Sequence, residues 1–186
     1  MNAFPFTSAF LEMLHDVGVG LTWPGVEPVA KNECRDLGLL DSSVQLPFQS
    51  VFGAACYPGI PAKAGCLFFS IIANHPFWNG NKRTAVLALD LFMAANGHVL
   101  NLTNPKIYNL AKEVATYKER RAGSKEVLDR ITWVITRTKI PMWRFKSSKY
   151  EWKYYRQIME QIRLDPLNVP GTLTQQEQIF GRATQR

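Results

Sequence analysis

His75-Pro76-Phe77-Trp78-Asn79-Gly80-Asn81-Lys82-Arg83-Thr84-Ala85 is the stretch on which the reading of this chain turns. An apolar run, Cys66 to Ala73, precedes it, and Ala85 to Ala95, apolar apart from Asp90, follows it. The first run belongs to a helix that opens at Pro61 and ends near Asn74, because the His75-Pro76 step biases the backbone out of the helical region. The second belongs to a helix over residues 81–96 that Gly97 stops. A helix apolar nearly all round is central and buried. The quoted stretch is therefore a loop between two core helices.

The residues of that loop carry chemistry. Gly80 lets the backbone turn sharply and approach a ligand. Asn81, Lys82 and Arg83 stand at the first turn of the following helix, where free N–H groups and the helix dipole favour an anion. Two cations at this end oppose the dipole. A bound phosphate removes the conflict, and such local rule-breaking marks a functional site. His75, across the loop, can accept a proton near neutral pH, as activation of a hydroxyl nucleophile requires. Asn79 can offer an oxygen to Mg²⁺ carried in by a nucleotide. Taken singly, His75 reads as a structural or surface histidine, Lys82 and Arg83 as a solvated pair, and Phe77 and Trp78 as packing residues. Their conjunction in one segment changes that balance.

Elsewhere the chain reads as helices joined by turns. Residues 4–16 form an amphipathic helix ended by Gly18 and Gly20, and Trp23-Pro24-Gly25 is a turn. Pro28 opens a helix towards Leu37 with Gly38 as its stop. A short helix covers 41–48. Val51 to Pro61, rich in Gly and Pro, is a loop or short hairpin. Asn104-Pro105 starts a helix to about Lys118, and Ser124 N-caps another to about Thr138. Further helices are expected over 148–164 and after Thr174, which has capping-box spacing to Glu177. Strand alternation is scarce, so the fold class is all-α, a helical bundle with the motif loop between two central helices.

Composition sets outer limits. Hydrophobic residues make up 46% of the 186 and charged residues 20%, enough for a packed core. No apolar run approaches the roughly 18 residues of a membrane span, and the start, with Glu12 and Asp16, does not read as a signal peptide. Cys34, Cys56 and Cys66 are unclustered and fit a reducing cytoplasm. Neither GxxxxGK[ST] nor HExxH occurs, which argues against P-loop and zinc-hydrolase chemistry. The net charge of +7 is concentrated after residue 136, where ten Lys and Arg face four Asp and Glu; the remaining 12 and 11 nearly cancel. The chain is read as a core domain, residues 1–140, followed by a helical extension, residues 141–186. In that extension Trp143, Arg144, Lys146, Tyr150, Trp152, Lys153 and Tyr155 interleave cations with aromatics. The mixture suits nucleic acid, a protein interface or a helix packed on the core, and the last two are favoured.

His75, Pro76, Phe77, Gly80, Asn81 and Arg83 fall at the spacing His-x-Phe-x-acid-(Gly/Ala)-Asn-x-Arg, and the segment resembles the Fic/Doc family motif. The resemblance extends more loosely from about His15 to Leu100, through Leu37-Gly38-Leu39-Leu40 and Asn96-Gly97. It implies an all-helical Fic fold with a target-docking flap before the core helices, placed here at Val51 to Pro58. AMP-transferring members generally have Gly after the motif Asn and a second Arg three residues after the first; this chain has Lys82 and Val86. Asn81-Lys82-Arg83-Thr84-Ala85 is instead similar to Doc toxins of toxin–antitoxin modules. The resemblance then implies a protein kinase that moves the γ-phosphoryl of ATP, with Mg²⁺, to a threonine hydroxyl of elongation factor Tu, and that a cognate antitoxin holds inactive.

Carried over by position, His75 is the catalytic base, Gly80, Asn81, Lys82 and Arg83 bind the phosphates, and Asn79 is the metal-side ligand. Asn79 departs from the family's acid, which lowers the expected metal affinity. The self-inhibitory Ser/Thr-x-x-x-Glu-Gly/Asn segment is also missing, since Met13 follows Ser8 to Glu12 and Val86 replaces its Arg partner. Two alternatives follow from these departures: a nucleotidyl transferase on the same fold, which Lys82 and Val86 disfavour, and a non-catalytic binding module, which Asn79 favours.

Overall fold

A computed structural model describes residues 5–19 and 34–141, together with Ala3 and Arg144. Six α-helices make up most of the described residues. Helix α1, Ser8–Met13, runs into a π-helical turn, Leu14–Gly18. Helix α2 is Leu37–Gln45, followed by a 3₁₀ turn, Leu46–Phe48. A hairpin of β1, Ser50–Val51, and β2, Ala54–Ala55, leads into α3, Gly59–Asn74. Helix α4 is Asn81–Ala95, and β3, His98–Leu100, leads to α5, Asn104–Ala115. Helix α6, Ser124–Thr138, ends in β4, Lys139–Pro141, antiparallel to β3. No helix among the described residues is long and apolar enough to cross a membrane.

The all-α expectation holds, with only short strands beside the helices. Helix α3 is the hub. It packs on α4 most extensively, and also on α6, α2 and α5. Nine consecutive residues, Ala64 to Ile72, are buried, as the apolar run before the motif implied. Gly65 permits the approach to α6: a Cβ there would stand 3.1 Å from Thr132 Oγ1 and 3.3 Å from Ile131 Cγ2. The outer helices are one-sided. Val127, Ile131 and Ile135 recur every fourth residue on α6 and are buried, as one face of a 3.6-residue period requires. On α5 Ile107, Leu110, Ala111 and Val114 do the same.

Several expected boundaries move. Gly38 does not stop a helix; it lies in the first turn of α2, whose N-cap is Asp36, with the carboxylate accepting from Leu39 N at 3.0 Å. The Asp side chain satisfies an orphan N–H, and this local bond outweighs the glycine's poor propensity so near a helix start. Helix α2 consequently begins four residues before the expected 41, and Pro47 falls in the 3₁₀ turn. Helix α3 starts at Gly59, with Pro61 inside its first turn, where a missing N–H costs nothing. Gly123, not Ser124, is the N-cap of α6. The expected loop at Val51 to Pro61 contains a two-residue hairpin turn in which Phe52 and Gly53 both have positive φ, 50° and 80°, the geometry that matches strand twist. The helix placed from Pro28 lies outside the described residues except at its end, and those placed over 148–164 and after Thr174 lie wholly outside them. Strand β4 straddles the boundary drawn at residue 140.

Candidate active site

Helix α3 delivers His75 and helix α4 receives the loop's other end. His75 is the C-cap of α3 in the left-handed conformation, φ 56° and ψ 53°, a region where non-glycine residues are uncommon and sites are over-represented. Pro76 then docks the chain on the segment before α2: its carbonyl accepts from Arg35 N at 2.7 Å and Asp36 N at 3.2 Å. Phe77 is buried and forms an antiparallel bridge with Cys34. Trp78 stays 69% exposed, with the Arg35 guanidinium 5.9 Å over its ring. Arg35 also donates to Asn74 O at 3.2 Å, closing the carbonyl end of α3.

Gly80 is the N-cap of α4 with φ 73°. Its carbonyl accepts the first helical bond, from Thr84 N at 2.9 Å, and a second from Thr84 Oγ1 at 3.2 Å. The Thr84 hydroxyl is thus spent on the helix. Because bonding starts at Thr84, the N–H groups of Asn81, Lys82 and Arg83 have no acceptor inside the helix. The first turn carries no acid. Lys82 is exposed and Arg83 half-buried. This is the conflict with the dipole that the sequence displayed, now placed at one helix mouth with His75 across from it.

Asn81 is 3% exposed, and its amide is the brace of the loop. Its oxygen accepts from Phe77 N at 3.0 Å, and its nitrogen donates to Phe77 O at 2.7 Å. The second amide hydrogen faces the His75 ring, with Nδ2 3.1 Å from Nδ1 and 3.5 Å from Nε2. An N–H donor there favours the neutral imidazole, which has one lone pair. A hydroxyl that gives its proton to His75 must therefore replace this contact. What Asn81 can offer a phosphate is its backbone N–H.

His75 is exposed as a residue, yet loss of water around its ring is the main cause that lowers its pKa from 6.5. The Arg35 charge adds to this, Phe77's backbone partly opposes it, and Lys82 reinforces it. Both cations, Arg35 and Lys82, disfavour protonation of the ring.

Asn79 is half-buried, and its side-chain oxygen accepts from Gly80 N at 2.6 Å. One acceptor position is thereby taken, and among the described residues no group of three His, Cys, Asp or Glu is placed to hold a metal. Among the described residues, the site offers the cations and first-turn N–H groups of α4 but no cluster of metal-ligating side chains. Asn79 reaches a metal only by turning out of the loop.

Three contributors lay outside the sequence reading: Arg35, His15 and Asp16. The His15 ring is fully buried, stacks on Phe77 with centroids 4.0 Å apart and planes 8° from parallel, and places Nε2 3.1 Å from Asn79 O. Asp16 Oδ1 is 2.9 Å from its Nδ1. A histidine on the apolar face of the first helix, beside Leu11 and Leu14, was the available signal. For Arg35 it was the adjacent Asp36 N-cap.

Residues 5–93 match the Fic/DOC family. A curated relative, "Toxin Doc" of Mycolicibacterium smegmatis, is 40% identical over 84 residues, which span 44% of this chain and 65% of that protein. No solved structure matches. Motif, fold and comparison agree in placing the chain's similarity to the Fic/DOC family in residues 5–93.

Proposed function

We propose that this chain is a Doc-like toxin, a protein kinase that transfers the γ-phosphoryl of ATP to a threonine hydroxyl of an elongation factor Tu-like protein and so arrests translation. The observation that carries this reading is Asn81-Lys82-Arg83-Thr84-Ala85 at the N-terminus of the buried helix α4, with His75 across the loop. Lys82 and Val86, where nucleotidyl-transferring members carry Gly and Arg, favour γ- over α-phosphoryl transfer. The similarity to a Toxin Doc supports a toxin role and a cognate antitoxin, and both target and antitoxin belong to the cytoplasm.

In this mechanism His75 takes the proton of the threonine hydroxyl as its oxygen bonds to the γ-phosphorus. The bond to the bridging oxygen breaks, and ADP leaves. The amides of the first turn of α4, with Lys82 and Arg83, hold the phosphates and offset their charge, and positioning with charge stabilisation is most of what this reaction needs. Mg²⁺, when bound, supplies further charge to the phosphates, and Asn79 is the residue that would meet it.

The test is label transfer from ATP to purified elongation factor Tu and to a cell lysate, with γ- and α-labelled ATP in parallel. Label from the γ-position is expected. Label from the α-position would make the protein a nucleotidyl transferase, and none from either, with folded protein, would leave a binding module or an enzyme disabled at Asn79.

A pH dependence follows from His75. A base works unprotonated, and its pKa is depressed below 6.5, so the acid limb of kcat/KM should fall below about pH 6.5. Arg35→Gln removes a charge that disfavours protonation, so the limb should move to higher pH. An unmoved limb in that variant's pH–rate profile would remove Arg35 from the electrostatics of the base.

A further inference from the structure

We infer that His15 is a positioning residue of the motif loop: it holds the Asn79–Gly80 peptide with the carbonyl turned inward, so that the Gly80 N–H joins the phosphate site. The inference rests on the reading that this loop binds the phosphates of ATP. A carbonyl oxygen only accepts, so Nε2 of His15 donates to Asn79 O, 3.1 Å away. In a trans peptide the carbonyl and the following N–H point in opposite directions, and no cis bond occurs among the described residues. With Asn79 O drawn towards the buried imidazole, Gly80 N–H points away from it.

An acceptor already occupies that N–H: the side-chain oxygen of Asn79 lies 2.6 Å from Gly80 N, where a phosphate oxygen would sit. The amides of Asn81, Lys82 and Arg83 have their directions set by the helix. Gly80 does not, and a glycine at φ 73° offers little resistance to a peptide flip. Flipped, the same peptide would present a carbonyl oxygen to the phosphate and repel it. His15 prevents this from a rigid base, since its ring is stacked on Phe77 and its other nitrogen meets Asp16. Successive N–H groups aimed into one concavity are a common way to bind an anion.

The test uses the full chain, with ATP and magnesium as probe. In amide-resolved NMR, ATP should shift Gly80 together with Asn81, Lys82 and Arg83. His15→Phe, which keeps the ring stack but donates nothing, should lose at least tenfold in ATP affinity by calorimetry. His15→Gln, whose amide can still donate to Asn79 O, should recover to within threefold of the native chain. Shifts at Lys82 and Arg83 without Gly80, or undiminished ATP affinity in folded His15→Phe, would overturn the proposal and leave the phosphate reading standing. Absence of ATP binding to the native chain would overturn both. If His15→Phe does not fold, the Gly80 shift in the native chain and the affinity of His15→Gln decide.

Discussion

His75→Ala should reduce γ-phosphoryl transfer by about 10²–10⁴-fold, the usual worth of a positioned general base, while leaving the fold intact. The two effects separate because of where His75 sits. It caps α3 from an exposed position and contributes nothing to the buried cluster. Its left-handed backbone conformation is no easier for alanine, so about 1 kcal/mol of strain remains in either chain. The amide hydrogen of Asn81 that faces the ring would turn to water. A cooperative melt close to that of the native chain, alongside lost label transfer, is the expected pair of results. His75→Asn, which suits the left-handed region better, should be equally inactive and at least as stable. Transfer above a tenth of the native rate in either variant would reduce His75 to a structural cap and leave catalysis to the anion site alone.

The part of this arrangement visible in the sequence is the part written in local pattern. Apolar runs on either side of His75 to Ala85 announced two buried helices, and Gly97 ended the second where it was expected, with φ 77°. Lys82 and Arg83 at a helix start were legible as a conflict because the dipole acts within one turn. Asp36 shows where local reasoning slipped. A glycine two residues on looked like a stop, and only the Asp36–Leu39 bond shows that the helix starts there. The supports of the loop were hidden for another reason. His15 and Arg35 lie 64 and 39 residues from the atoms they bond, Asn79 O and Asn74 O, and no periodicity in one sequence connects positions so far apart. Asn81 was read as a phosphate-binding residue; in the structure its side chain holds the loop.

That role makes Asn81→Leu the substitution with the largest combined effect. Leucine is close in size but pairs with neither backbone group of Phe77, whose N–H and carbonyl bond the Asn81 amide at 3.0 and 2.7 Å. Both lie in a buried setting, and each unpaired group costs about 1–3 kcal/mol, so a loss of roughly 2–6 kcal/mol is expected, a large share of a typical domain's stability. Phe77 also carries the ring on which His15 stacks and the bridge to Cys34, so the damage should reach the loop's whole underside. The diagnostic variant is Asn81→Asp. Its carboxylate can still accept from Phe77 N, but it cannot donate to Phe77 O or to the His75 ring. A negative charge there would stabilise the imidazolium, raise the pKa of His75 and leave less neutral base at pH 7. Denaturant titration should therefore rank the chains native, Asn81→Asp, Asn81→Leu in falling stability. Nitrogen-15 titration of His75 should show a raised midpoint in Asn81→Asp. An Asn81→Leu chain as stable as the native one would mean that Phe77 finds its bonds elsewhere, and that the amide does not shape the loop.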